Sequence, residues 1–253
     1  MRWLALGLVG LAAGFVNTLA GSGSLLSLPM LMYLGLSPEV ANGTNRVGVL
    51  LQNLVAVHGF RRQGALHLRS AAAPTITAVV GSLVGAGIAV QLDGDLLKKV
   101  LAALMLAMVG VMLLRPERWV EERPEALRRF GPWQGLVFFA VGVYGGFIQA
   151  GVGIFLLAAL VLGAGFELVR ANGVKNWIVG WLTLFALVVF VRAGQVEWVS
   201  GLVLGAGSML GAWLATRLAV KRGARFVHAF VIAVVLLSAA DMLGFFRWIL
   251  RLS

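Results

Sequence analysis

The chain has 253 residues, 60% of them hydrophobic and 12% charged, with a mean hydropathy of +0.94. Soluble domains run at about 45–50% apolar and about 25% charged, so a soluble domain is excluded and an integral membrane protein is indicated. The formal net charge of +11 would suggest nucleic acid as a partner in a soluble chain. Here most Lys and Arg lie in short segments between apolar runs, the positive-inside signature, so the bilayer is the expected partner and nucleic acid is not. With no cysteine, disulfides, thiolate metal sites and thiol catalysis are excluded.

At about 20 apolar residues per crossing, the length allows about eight to ten membrane segments and no separate soluble domain. Unbroken apolar runs such as 101–114 contradict a β-barrel, whose strands alternate over segments of about 10 residues. The expected fold class is an all-α integral membrane protein, one membrane domain over 1–253. Met1-Arg2-Trp3 and the apolar residues after it read as the first membrane segment rather than a signal peptide.

In chain order, apolar stretches cover about 3–36, 40–60, 70–92, 96–114, 133–166, 171–191, 198–218 and 226–250. A polar linker over about 115–132, opening with RPERWVEERPEALRR, splits the chain near its midpoint and is expected on the cytoplasmic side. Across that split, Ala41-Asn42-Gly43 recurs as Ala171-Asn172-Gly173. The same offset pairs Ala20-Gly21 and Gly23 with Ala150-Gly151 and Gly153, Gly35 with Gly165, and Arg62-x-Gly64 with Arg192-x-Gly194. At a slightly shorter offset, Gly81-Ser82 and Gly85-Ala86 match Gly207-Ser208 and Gly211-Ala212. These matches predict two repeats, about 3–114 and 133–250, and repeats in a polytopic chain point to a secondary transporter with its site where they meet.

The first stretch of each repeat holds 34 residues. As one helix that is about 51 Å, against a hydrocarbon core of about 30 Å. Each stretch is interrupted by glycine, at Gly21-Ser22-Gly23-Ser24 and at Gly151-Val152-Gly153, where a helix breaks at least cost. A broken helix or helical hairpin followed by three crossings is expected in each repeat, and an odd count of crossings inverts the second repeat. Hairpins place both termini outside; single crossings would place both inside.

Polar groups inside apolar stretches are functional candidates, because each is costly in a membrane unless paired or wet. They cluster at Asn17 and Thr18 before the first break, at Ser22 and Ser24 within it, and at Asn42, Thr44, Asn45 and Arg46 in the next helix, with Gln52 and Asn53 beyond. The second half offers Gln149, Asn172, Lys175 and Asn176. A helix resuming near Ser24 or Ile154 presents free N–H groups and a positive dipole end, which suits an anion, and Gly21, Gly23, Gly151 and Gly153 allow close approach to the backbone. Ser37-Pro38-Glu39 is a good helix start, and it sets Asn42, Asn45 and Arg46 on roughly one face. Arg46 and Lys175, with no carboxylate in the cluster, favour a negatively charged substrate over a metal cation; snorkelling from a helix end is the competing explanation for both. Gly81, Gly85, Gly205, Gly207 and Gly211 suit close helix packing.

His58, His67 and His228 lie near membrane ends and suit structural roles, while Asp241 is the one acid deep in an apolar run, a candidate for pairing with Arg247 or His228 or for proton coupling. The chain holds no HExxH, no GxxxxGK[ST] and no glycine two before Ser22 or Ser24, so metalloprotease, ATPase and serine hydrolase readings fail and no enzyme or cofactor is expected.

The segment GFVNTLAGSGSLLSLPMLMYLGLSPEVANGTNR, beginning at Gly14, resembles the first repeat of the TauE/SafE sulfite-exporter permeases in its Gly-rich segment, in Pro29 and in the Ala-x-x-Thr-Asn-Arg stretch from Ala41 to Arg46. YGGFIQAGVGIFLLAALVLGAGFELVRANGVKN and GSMLGAWLATRLAVKRG are similar to its second repeat and tail. Ser22 and Ser24 stand where many relatives carry glycine, and Asn17 where some carry Asp. The resemblance implies a secondary carrier for sulfite, a sulfonate or another small organic anion in a bacterial or archaeal plasma membrane. A small-anion channel and a non-transporting scaffold stay open as alternatives, as do a proton or sodium ion for coupling and an oligomeric assembly.

Overall fold

A computed structural model of the chain describes residues 1–66, 71–97, 99, 100, 103 and 130–242, with side chains described as far as Arg222. The described residues are helical, with no strand: α1 (Arg2–Leu19), α2 (Ser24–Tyr33), α3 (Pro38–Arg62), α4 (Ala72–Ala89), α5 (Pro132–Phe147), α6 (Val152–Ala158, continued by a π turn Ala159–Gly163), α7 (Leu168–Arg192) and α8 (Trp198–Met242). Most of the 115–132 linker, most of the 96–114 stretch, and His67 lie outside the described residues, as do the side chains of His228 and Asp241.

Both long apolar stretches break where glycine allows it. Gly21 and Gly151 take the left-handed conformation, with φ of 81° and 76°. The chain then folds back instead of continuing. A Cβ on Gly23 would stand 2.0 Å from the Ala13 carbonyl oxygen, although ten residues along a continuous helix would separate the two by about 15 Å. In the second half the Tyr144 and Phe155 rings meet edge to face at 5.3 Å across the break.

The left-handed glycines come in pairs at the offset that relates the sequence repeats: Gly21 with Gly151, Gly35 with Gly165, and Gly64 with Gly194. α3 and α7, 25 residues each, begin and end at that same offset. These two helices pack antiparallel, since Gly43 touches Phe190, Asn53 lies against Gly180, and Gly173 meets Phe60.

The apolar exteriors of helices in lipid supply little drive to associate, so close backbone packing must do it. Gly10 and Gly14 of α1 lie on the Leu204 and Ser208 carbonyls of α8, and Gly207 and Gly211 lie on the Gly7 and Leu11 carbonyls in return. α4 and α5 repeat the arrangement, Gly81 and Gly85 against Phe139 and Val143, Gly142 and Gly146 against Ala78 and Ser82. A Cβ at any of these eight glycines would come within 1.9–2.4 Å of a carbonyl oxygen.

Among the described residues, four helical segments are long and apolar enough to cross a membrane: Arg2–Leu19, Ala72–Ala89, Leu168–Arg192 and Trp198–Arg222. α3 has the length but not the composition, because its buried face carries Asn42, Thr44, Asn45, Arg46, Gln52 and Asn53. One expectation is corrected. The 198–218 and 226–250 stretches are not separate elements: α8 runs unbroken for 45 residues through the basic segment between them, where neither proline nor a left-handed glycine interrupts the helix.

Candidate functional site

The two breaks meet at the centre. A Cβ on Gly21 would lie 2.3 Å from the Gly153 Cα, and one on Gly153 would lie 2.4 Å from the Gly21 Cα, so bare backbone faces bare backbone. Around this crossing lie buried polar residues of both halves, among them Asn17, Arg46, Gln149 and Lys175.

A helix C-terminus leaves its last carbonyls without internal donors and carries a negative dipole end, which a cation satisfies. Arg46 does this for α5: its guanidinium donates to the carbonyls of Gly145 at 3.1 Å, Gly146 at 2.5 Å and Phe147 at 3.5 Å. The Phe190 ring lies against the same guanidinium at 4.5 Å, and the Asn42 amide donates to Phe147 at 2.9 Å. Lys175 does the same for α1, its ammonium donating to the carbonyls of Asn17 at 3.0 Å and Thr18 at 2.7 Å and to Asn172 Oδ1 at 2.8 Å. The Asn176 amide adds a bond to Thr18 at 3.2 Å. Each cation therefore belongs to one half and closes the broken helix of the other. Snorkelling does not describe either residue, since both are fully buried and bonded inward.

The predicted common face of Asn42, Asn45 and Arg46 divides. Asn42 and Arg46 reach α5, whereas Asn45 turns to α2, donating to Ser24 Oγ at 3.0 Å and accepting from Ser27 Oγ at 2.5 Å. Thr44 faces away from the breaks and accepts from the Glu197 N–H at 2.8 Å. Ser37 stands at the start of α3 with Pro38 in the first position, as expected, but its side chain makes no capping bond.

At the breaks, Asn17 donates to Gln52 Oε1 at 3.1 Å and Gln149 donates to Thr183 Oγ1. The helix resumes at Ser24 and at Val152. Three of the N–H groups expected to face an anion are taken within these turns: Leu25 donates to Ser22, Val152 to Gln149 and Ile154 to Gly151. Several buried side-chain atoms have no partner among the described residues: Thr18 Oγ1, Ser22 Oγ, Asn42 Oδ1, Arg46 Nε, Gln52 Nε2 and Gln149 Oε1. Buried polar atoms are rarely left unpaired, so this concentration marks the place where a polar ligand has most to satisfy.

Ser27, Tyr144 and Thr183 were not singled out from the sequence. Tyr144 ties the second break by donating to the Ala150 carbonyl at 2.6 Å. Thr183 had one available signal, since the repeat offset pairs it with Asn53.

The family model for the sulfite exporter TauE/SafE matches residues 6–242. A probable membrane transporter protein of Haemophilus influenzae is 31% identical over 236 residues, covering 92% of this chain and 91% of its own. The probable membrane transporter protein YfcA of Escherichia coli strain K12 is 29% identical over 93% of this chain and 87% of its own, and ORF9 of a Sinorhizobium species is 28% identical over 92% and 88%. No solved structure matches the chain. With its crossed helix breaks and buried polar centre, the chain belongs to the TauE/SafE sulfite exporter family and is a multi-pass membrane transporter of that family.

Proposed function

We propose that the chain is a secondary transporter that moves a small anion, sulfite, a sulfonate or a related sulfur-containing or organic anion, across the plasma membrane by alternating access between two inverted halves. The observation that carries this reading is the pair of buried cations, Arg46 and Lys175, each closing a helix end of the opposite half and neither in an ion pair with a carboxylate among the described residues. A fixed positive charge inside a membrane is costly, and here helix dipoles hold it while leaving it uncompensated by any full negative charge.

The contact pairs Gly43–Phe190 and Gly173–Phe60 support the inverted relation. The repeat offset carries Gly43 to Gly173 and Phe60 to Phe190, so exchanging the halves maps one contact on the other. In this reading α3 and α7 correspond and run antiparallel, so that the halves would be related by a two-fold in the membrane plane, the arrangement that lets one site open to either side.

In this reading the anion binds at the crossing of the breaks. Thr18, Ser22 and Gln52 offer it the donors that the protein leaves unpaired, and Arg46 Nε adds a charged one. Asn17, Asn42, Asn45, Gln149, Asn172 and Asn176 hold the surrounding helix ends and serine hydroxyls in place. Binding competes with the helix carbonyls for Arg46 and Lys175, so a loaded site would loosen the bonds between halves. A proton or sodium ion would supply the coupling.

Thermal stability of the purified protein tests this with sulfite, sulfate, thiosulfate, sulfoacetate and taurine against chloride, because a ligand of the folded state stabilises it by mass action. One sulfur oxyanion or sulfonate should stabilise selectively. Ser22→Ala, which removes no bond within the protein, should weaken that shift, and saturable uptake of the same anion into proteoliposomes should accompany it. An equal response to every anion, or to none, would overturn the assignment. Flux that does not saturate would indicate a channel, and binding without flux a scaffold.

A further inference from the structure

The two ends of α3 carry unlike clusters of charge. At the start of α3, Glu39 packs its carboxylate against Gly94 and lines a cleft of about 500 Å³ with Asp93 and Asp95. Glu197 stands at the same end, held by Thr44. The remaining acid with a described side chain, Glu167 at the start of the antiparallel α7, lies at the other end of α3, where it is occupied by Arg170 at 3.7 Å in the only ion pair among the described residues.

At the other end, Arg61 and Arg62 close α3 while Arg217, Lys221 and Arg222 follow one another on α8. All five are exposed. The two helices are held together there, because Gly59 leaves room for Thr216: a Cβ on that glycine would stand 2.6 Å from the Thr216 hydroxyl. Five cations, none in an ion pair among the described residues, thus lie on the two helices around one junction. Along α3 this lies about 33 Å from Glu39, roughly the thickness of the hydrocarbon core, which sets the cations at headgroup level. Exposed Trp213 lies under the Arg217 guanidinium at 3.9 Å, as an aromatic residue does at the membrane interface.

We propose that the α3–α8 junction binds an anionic phospholipid, its headgroup phosphate held among Arg61, Arg62, Arg217, Lys221 and Arg222 while its acyl chains follow the apolar faces of the two helices. Like charges on adjoining helices repel, and an anionic headgroup relieves the repulsion where a zwitterionic one does not. The proposal is independent of the transported substrate.

The test is thermal stability of the full chain in neutral detergent, titrated with phosphatidylglycerol, with phosphatidylcholine and with inorganic phosphate. Phosphatidylglycerol should raise the melting temperature by several degrees more than phosphatidylcholine, with the difference shrinking at high salt. Combining Arg61→Ala with Arg62→Ala, or Lys221→Ala with Arg222→Ala, should weaken the apparent affinity roughly tenfold or more. The matching Arg61→Lys and Arg62→Lys pair should retain it, as should Arg192→Ala at the far end. Equal shifts with both lipids, an undiminished shift in the alanine variants, or the same shift with phosphate alone would each overturn the proposal.

Discussion

Gly21 and Gly153 touch backbone to backbone at the centre of the molecule, with no room for a methyl group on either. Gly153→Ala should therefore destabilise the fold by about 1–3 kcal/mol, the usual cost of overpacking, and reduce transport with it. Gly7→Ala is the control, since a Cβ there meets nothing within 4 Å and alanine favours the helix. Urea or thermal unfolding of the two variants in detergent checks the contrast.

Replacing Arg46 by Lys keeps the charge but loses the fork that reaches successive carbonyls of α5. Each hydrogen bond to a charged group contributes about 1.5–3 kcal/mol, so loss of one should lower the melting temperature by an amount differential scanning resolves. Arg46→Met, which strands the Gly145 and Gly146 carbonyls altogether, should be worse than Arg46→Lys. A variant as stable as the parent would show that the clamp is not structural.

Asn45, Ser24 and Ser27 form one hydrogen-bonded chain between α2 and α3. In a double-mutant cycle, Asn45→Ala and Ser27→Ala should show a coupling of about 0.5–1 kcal/mol, the range measured for such bonds between membrane helices. Strict additivity would mean that the two side chains do not share a bond.

Glu197 gives a pH dependence. Partial desolvation raises its pKa, but hydrogen bonds from Ser200 and Val199 outweigh that and hold the carboxyl below its ordinary value. A depressed folded-state pKa contributes stability above the unfolded value, and the contribution is lost as pH falls through the folded one. The melting temperature should therefore decline more below about pH 4 in the parent than in Glu197→Gln, where this contribution is absent.

Composition and spacing made the membrane class and the positions of both breaks legible, because burial in lipid demands long apolar runs and because glycine interrupts a helix at least cost. Asn17, Asn42, Arg46 and Lys175 were legible as candidates for a related reason: polar side chains are costly in such runs, so their presence alone is informative. Their partners were not. Arg46 could equally have met a substrate, a lipid headgroup or a carboxylate, and only the folding of α3 against α5 sets it on the Gly145 and Gly146 carbonyls. The split of Asn45 from Asn42, and the meeting of Gly21 with Gly153, likewise depend on where α2 and α6 return after the chain reverses. Local sequence determined where each helix starts and breaks, since those limits are set by nearest-neighbour sterics and hydrogen bonding. Tertiary packing decided which helix end each buried charge closes, since that depends on contacts between opposite halves of the chain.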